Sequence, residues 1–323
     1  MDNISNSPRD DSVSFYKDFK GLKSGKTLLP IIANHTPQPI TKENHIIAHH
    51  NHNDITITGD STIILPDNIT ADIFISLSND ILAKGVSAEK NLSLSPLYIT
   101  ILAKPESRGN IFWQNLPLTG VIKVDYHLAK NTLLNGFAFL ALEHILRFQQ
   151  TIYLDEEYSI ANLFVAGKNH RHPKQSGFAD STMRAVHHAS HSQSQMAVRG
   201  VVDNQEVMLA QVRTDIAVDK TAADTAQDIK AIILSPEAKF YGKPELNIKH
   251  DKVKAKHGLS VGALDDEQIY YLRSRGIDEK TARQLLLNSF FMGGLHYFFS
   301  DDLQKAEKWL TPFLQSLLDE PKK

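Results

Sequence analysis

From about Asp54 onward, apolar and polar residues alternate in short stretches. Ile55 and Ile57 alternate with Thr56 and Thr58, and Ile73, Ile75 and Leu77 with Phe74, Ser76 and Ser78. Ile122, Val124, Tyr126 and Leu128 alternate with Lys123, Asp125 and His127. A period of two sends one set of side chains inward and the other outward, as half-buried strands require. Residues 163–165, 198–202, 207–212, 216–218 and 246–248 extend the series. Turn formers stand between them: Thr58-Gly59-Asp60, Pro66-Asp67-Asn68, Ala166-Gly167-Lys168-Asn169 and Asp203-Asn204. No helix-period segments separate these strands, so the middle of the chain reads as mainly β rather than βαβ. A sandwich, a barrel and a solenoid all satisfy the pattern, and no strict short repeat selects the solenoid. Residues 136–148 fit a helix and two buried strands equally well.

Residues 1–53 read as a short lead-in, helical or irregular, with Pro30, Pro37 and Pro39. Beyond His257 the period becomes helical. Asp265 and Gln268 form a capping-box pattern, and Arg273, Arg275 and Gly276 make the expected end of a short helix. Asp278 can cap a second helix with Ala282, Leu285, Leu286, Ser289 and Phe290 on one face, weakened late by Gly293-Gly294. Ser300-Asp301-Asp302 opens a third, with Ala306, Trp309 and Leu310 apolar, and Thr311-Pro312 restarts it.

With 323 residues, 41% hydrophobic and 22% charged, the chain is long enough for a large core and too apolar for wholesale disorder. Lys and Arg total 35 against 37 Asp and Glu, a net charge of −2 that argues against a nucleic-acid binder. Zero cysteines exclude disulfides, thiolate nucleophiles and Cys-based metal sites in this chain. A polar, acidic opening without a signal peptide, and no apolar run long enough for a bilayer, lead us to expect a cytoplasmic protein without membrane contact.

Several motifs invite chemistry. Gly21, Gly25, Lys26 and Thr27 approximate a phosphate-binding loop, one residue short and without a buried strand before it. His45, His49, His50 and His52 suggest a metal patch, but a helix would gather the first pair and a strand the last. His170 and His172 read as loop residues. His187, His188, Ser190, His191 and Ser192 evoke a nucleophile with its base, yet no nucleophile elbow is present, and polar contacts inside the β structure fit better. On a strand, His187 and His191 point one way and His188 the other. His257 stands out: it ends the strand-like residues 249–256 and precedes Gly258, at the junction between the β part and the helices.

The stretch from Lys243-Pro244-Glu245 through Asp251, Val253, Lys254, His257-Gly258 and Ser260-Val261-Gly262 resembles the signature of the SufB/SufD family. Leu264-Asp265, Tyr270-Tyr271-Leu272-Arg273-Ser274-Arg275-Gly276-Ile277, Ala282-Arg283 and Leu285-Leu286 continue the likeness. Val186-His187-His188, His191-Ser192, Arg199-Gly200-Val201 and Leu234-Ser235-Pro236 resemble it upstream. The likeness is strong over residues 180–292 and compatible over 54–180. His257-Gly258 with Val261-Gly262, and the lack of cysteine, resemble the SufD type within that family.

The resemblance implies a right-handed parallel β-helix over residues 54–260 and a C-terminal α-helical domain over 261–323. It implies a non-catalytic scaffold, partnered by a SufB-like subunit and a SufC-like ATPase, with a homodimer conceivable in isolation. It implies that His257 lies at the SufB contact as a ligand to iron or a nascent iron–sulfur cluster. That cluster would be transient, and none would be stably bound by this chain alone. Lys254, Gly258, Arg273 and Arg275 are interface candidates on the same grounds. Two departures stand out: Ala255 replaces the family's frequent cysteine, and the N-terminal helical region of longer members is much reduced. The rival expectations are a β-helix enzyme for carbohydrate or acyl substrates, and a homodimer turned to metal or flavin handling.

Overall fold

The computed structural model describes residues 44–78, 96–114, 116, 119–142, 145–168 and 177–298. In chain order the strands are β1 (Asn44–Ile47), β2 (Asn51–Ile57), β3 (Ser61–Leu65), β4 (Thr70–Leu77), β5 (Leu97–Ala103), β6 (Arg108–Trp113), β7 (Gly120–Leu128) and β8 (Leu133–Ala141). They continue as β9 (Ile145–Leu154), β10 (Ile160–Lys168), β11 (Phe178–His187), β12 (Gln193–Val202), β13 (Val207–Ile216), β14 (Asp224–Ile233), β15 (Lys239–Ile248) and β16 (Lys254–Gly262). Among the described residues two helices follow, α1 (Asp266–Ser274) and α2 (Glu279–Phe298).

Among the described residues odd strands stack into one sheet and even strands into another, eight in each. The registered pairs join each strand to the one two later, in parallel. The chain therefore lays one strand into each sheet per turn, which is a parallel β-helix and excludes the sandwich and the barrel. The first strand among the described residues begins at Asn44, inside the stretch expected as a helical or irregular lead-in. Within residues 136–148, residues 136–141 belong to strand β8 and residues 145–148 to strand β9 rather than to a helix. Residues 216–218 make no separate strand: Ile216 ends β13 and the chain turns directly after it.

A recurring corner feeds the even sheet. Glu106, Asn131, Tyr158 and His191 adopt positive φ. The next residue, Ser107, Thr132, Ser159 or Ser192, is buried and donates its hydroxyl to a carbonyl three residues back at 2.6–2.8 Å. Such side-chain bonds satisfy backbone groups that a tight corner would leave unpaired. Unequal loop lengths between the corners hide this repeat from a search for a fixed period.

Inward columns of Ile, Leu, Val, Met and Ala fill the coil. The outer face of the even sheet carries a ladder of registered phenylalanines, Phe74, Phe112, Phe137 and Phe164. Neighbouring rings in it stack with centroids 4.7 and 5.3 Å apart. Leu287, Phe291 and Leu295 of α2 cover its later end, where the helix lies on β10 and β12. The face that α2 buries is thus Ala282, Leu287, Phe291, Gly294 and Leu295, whereas Leu285 and Ser289 are exposed. An aromatic ladder needs a cover, and that requirement sets the rotation of the helix. Burying one Phe contributes about 1.5–3 kcal/mol.

Asp265 Oδ1 accepts the backbone N–H of Glu267 and Gln268, so it caps α1 as expected. Gln268 reaches back to the Asp265 carboxylate itself at 2.9 Å. Gly276, at φ +87°, closes the helix: its N–H goes to Arg273 O and that of Ile277 to Leu272 O. Asp278 accepts from the backbone N–H and the hydroxyl of Thr281 at the start of α2. The third helix expected from Ser300, and the loop at Gly21 to Thr27, lie outside the described residues.

Candidate functional site at the open end of the coil

The last turn of the coil is β15 and β16, each paired on one side only among the described residues, with β13 and β14. On its inward face Phe240, Gly242, Pro244, Leu246 and Ile248 stand over Met208, Ala210, Val212, Thr214 and Ile216. Ala255, His257 and Leu259 stand over Thr225, Gln227 and Ile229. The lower set is buried, while the upper set is partly or largely exposed, with Leu259 at 46%. Residues that the β period assigns to a core thus lie open because no further turn among the described residues is stacked on them. Such an apolar end with unpaired strand edges is a surface natural proteins cover.

His257 occupies the inward column of this end, in register with the buried Gln227. The expectation that it closes a strand over residues 249–256 is corrected. Lys249 to Val253 form the connecting loop, and His257 lies inside β16. The polar sequence Lys249-His250-Asp251-Lys252 turns the chain, and Ala222 N–H anchors the loop at the Lys252 carbonyl at 2.8 Å. Lys254 and Gly258 share β16 with His257 but register with Asp224 and Asp228 on its outward face. Arg273 and Arg275 belong to the helical unit. Arg273 is 3.3 Å from Glu279, and Arg275 lies over the Tyr271 ring. The candidate site residues therefore divide among the coil's inner face with His257, its outer face with Lys254 and Gly258, and the end of α1 with Arg273 and Arg275.

The other histidines are separated. His187 is buried, with Nδ1 2.7 Å from Ser192 Oγ and Nε2 2.9 Å from Ser194 Oγ. Burial, and secondarily the neighbouring His188, lower its pKa to about 4. A neutral imidazole sealed inside the coil is a structural group, as the polar-contact reading expects. His191 shares no strand with it, because β11 ends at His187 and His191 turns the corner. His52 pairs with Asp54 at 2.9 Å and lies tilted against the Phe74 ring, while His45, His49 and His50 are exposed. Among the described residues no group of three or more His, Cys, Asp or Glu could hold a metal ion. His170 and His172 lie outside them.

One cluster had no sequence signal. His127 and His188 both direct Nδ1 to the Asp155 carboxylate, at 2.9 and 2.7 Å, with the Tyr153 ring stacked between them. Only the stacking of successive turns brings these residues together. Nearby, Asp215 receives Arg213, Asn247 and Arg184. These bonds outweigh its burial and hold its carboxyl below the usual range.

A groove of about 300 Å³ runs between α1 and α2, lined by Asp265, Glu267, Gln268, Tyr271, Leu272 and Leu286. Tyr270 and Leu285 are exposed on the same unit. No helix among the described residues is long and apolar enough to cross a membrane.

Comparison with known proteins agrees with this geometry. Residues 99–290 match the family model described as SUF system FeS cluster assembly, SufBD core domain. The iron–sulfur cluster assembly protein SufD of Escherichia coli is 24% identical over 269 residues, 81% of this chain and 57% of that protein. SufD of Bacillus subtilis is 27% identical over 139 residues, 43% of this chain and 30% of that protein. The chloroplastic protein ABCI7 of Arabidopsis thaliana is 37% identical over 86 residues, 27% of this chain and 18% of that protein. The chain spans little more than half the length of the Escherichia coli relative. Because the matched residues cover most of the coil, including its open end and the His257 strand, the chain belongs to the SufB/SufD family of iron–sulfur cluster assembly proteins.

Proposed function

We propose that this chain is a SufD-like scaffold subunit, without catalysis of its own, in a cytoplasmic iron–sulfur assembly complex. It pairs with a SufB-like subunit through the open end of the coil and docks a SufC-like ATPase on the helical unit. His257 then serves as a ligand to iron or to the growing cluster. The observation that carries this reading is an exposed imidazole on the uncovered inner face of the last turn, in a chain without a single cysteine. Neutral imidazole binds iron, and the thiolate or sulfide ligands a cluster also needs must come from the covering chain. The groove beside Tyr271 and Leu286, with Tyr270 and Leu285 exposed, supports docking of a second partner at the helices.

Co-expression with SufB- and SufC-like chains tests the assembly: all three should co-purify, and a monomer that ignores both would overturn it. His257→Ala should leave the complex intact and lower its iron and sulfide content. An unchanged content would remove the ligand role. A β-helix enzyme remains the rival reading, favoured only by the Asp155, His127, His188 and Tyr153 cluster. Hydrolysis of polysaccharide or ester substrates, lost in Asp155→Asn, would support that reading instead.

A further inference from the structure

Inside the last three turns of the coil runs a connected chain of buried hydrogen bonds, and the direction of each follows from its neighbour. Ser192 commits its one hydroxyl proton to the Ala189 carbonyl at 2.7 Å. Toward His187 Nδ1, 2.7 Å away, it therefore only accepts. His187 is the Nδ1–H tautomer, and its bare Nε2 takes the proton of Ser194 at 2.9 Å. Ser194 in turn accepts from Thr225 at 2.8 Å, and Thr225 from Thr214 at 3.0 Å. Thr214 accepts from Gln227 Nε2 at 2.9 Å, and the second amide proton of Gln227 goes to the Glu245 carbonyl at 2.9 Å.

Gln227 is thus held by both amide protons, and its Oε1, buried, has no hydrogen-bond partner. Donated N–H bonds polarise the amide and make that oxygen a stronger acceptor. Left unmet, a buried acceptor costs about 1–3 kcal/mol. The inward neighbours of Gln227 are few. Met196 on β12 has no proton to offer, Ile229 on β14 has none, and Thr225 has already committed its proton to Ser194. His257, its registered partner on β16, carries a ring N–H. Neighbouring strands stand about 4.8 Å apart, within reach of such a bond. Side chains in register already bond in this manner along the coil: Asn110 to Asp72, Asn135 to Asn110 and Asn162 to Asn135, at 2.7–2.8 Å.

We propose that Gln227 is the positioning residue for His257: a turn of the exposed imidazole lets Gln227 Oε1 accept one ring N–H of His257, a bond not formed in the structure, and points the other, unprotonated nitrogen outward from the end of the coil. A ligating histidine generally donates its second nitrogen to a carbonyl or carboxylate, which fixes the tautomer and the ring direction. Here the carbonyl is a side-chain amide, locked from beneath by a hydrogen-bond chain that ends at Ala189. The inference rests on the reading of His257 as a ligand for its purpose, but not for its geometry.

The test is carried out on the full ¹⁵N-labelled chain at about pH 8, where imidazole is neutral. Long-range proton–nitrogen spectra report the tautomer, with the His257 signals identified by their loss in His257→Ala. A single His257 tautomer is expected in the native chain and a mixture of both in Gln227→Met. In the assembled complex, Gln227→Met should weaken iron retention by roughly 10- to 100-fold. Mixed tautomers in the native chain overturn the proposal, whether or not the variant folds. A single tautomer persisting in folded Gln227→Met overturns it as well. A single tautomer lost in Gln227→Met, beside unchanged iron in His257→Ala, keeps the hydrogen bond and sinks only the ligand role.

Discussion

Gly293 and Gly294 are neighbours in α2 with opposite surroundings. A Cβ on Gly293 would meet nothing within 4 Å, whereas one on Gly294 would lie 2.6 Å from the Phe164 ring and 3.0 Å from Arg199 Nε. Phe164 is held in the aromatic ladder, and Arg199 is buried and paired with Asp228, so neither yields easily. Gly294→Ala should therefore overpack the seam between helix and coil and destabilise by about 1–3 kcal/mol. Gly293→Ala should stabilise by about 0.5–1 kcal/mol through helix propensity alone. Urea unfolding of both variants checks the opposite signs.

His187 should make stability depend on pH. Its folded pKa of about 4 lies below its ordinary 6.5. The unfolded chain therefore binds the proton first, and stability is complete above the ordinary value and falls as pH drops from 6.5 toward 4. The loss from pH 7 to 5 amounts to about 2 kcal/mol. Comparing denaturation midpoints at those two values should show this slope in the native chain and its flattening in His187→Gln.

Arg147 and Asp180 are registered partners on β9 and β11, 2.8 Å apart, with side chains 9% and 2% exposed. Arg147→Ala would remove a guanidinium 2.8 Å from a buried carboxylate. A cost of about 3–5 kcal/mol is expected, and replacing both residues by apolar ones of similar volume should recover most of it. A double-mutant cycle in urea separates these outcomes.

Leu259 is half exposed at the open end, so Leu259→Asp should change monomer stability by less than about 1 kcal/mol. The same change should abolish association with a SufB-like chain, or with a second copy, if the end of the coil is the contact. Thermal unfolding together with size-exclusion chromatography reads both effects. Retained association would shift the contact elsewhere.

Strand content, the caps at Asp265 and Asp278 and the stop at Gly276 were legible because each is written within a few consecutive residues. Alternation in residues 122–128 needs no partner to be read, and a carboxylate two or three residues before a helical N–H is a local fact. The expectation that His257 closes a strand over residues 249–256 fails because residues 249–253 turn before the strand begins. The helical face in α2 was misassigned for a related reason. Leu285 and Leu287 are equally apolar, and only the position of the phenylalanine ladder selects between them.

Local backbone preference and side-chain period belong to the chain itself, so the β character of the middle, the helical end and the absence of thiol chemistry could be stated without coordinates. Register belongs to contacts between distant residues, such as Ser194 and Thr225, which are 31 positions apart yet share a hydrogen bond. That stacking chose the coil over the sandwich, gathered His127, His188 and Asp155 on one carboxylate, and set Gln227 beneath His257. Among the described residues it also left a core-type surface open on the last turn, because an inward face is buried only when another turn lies on it.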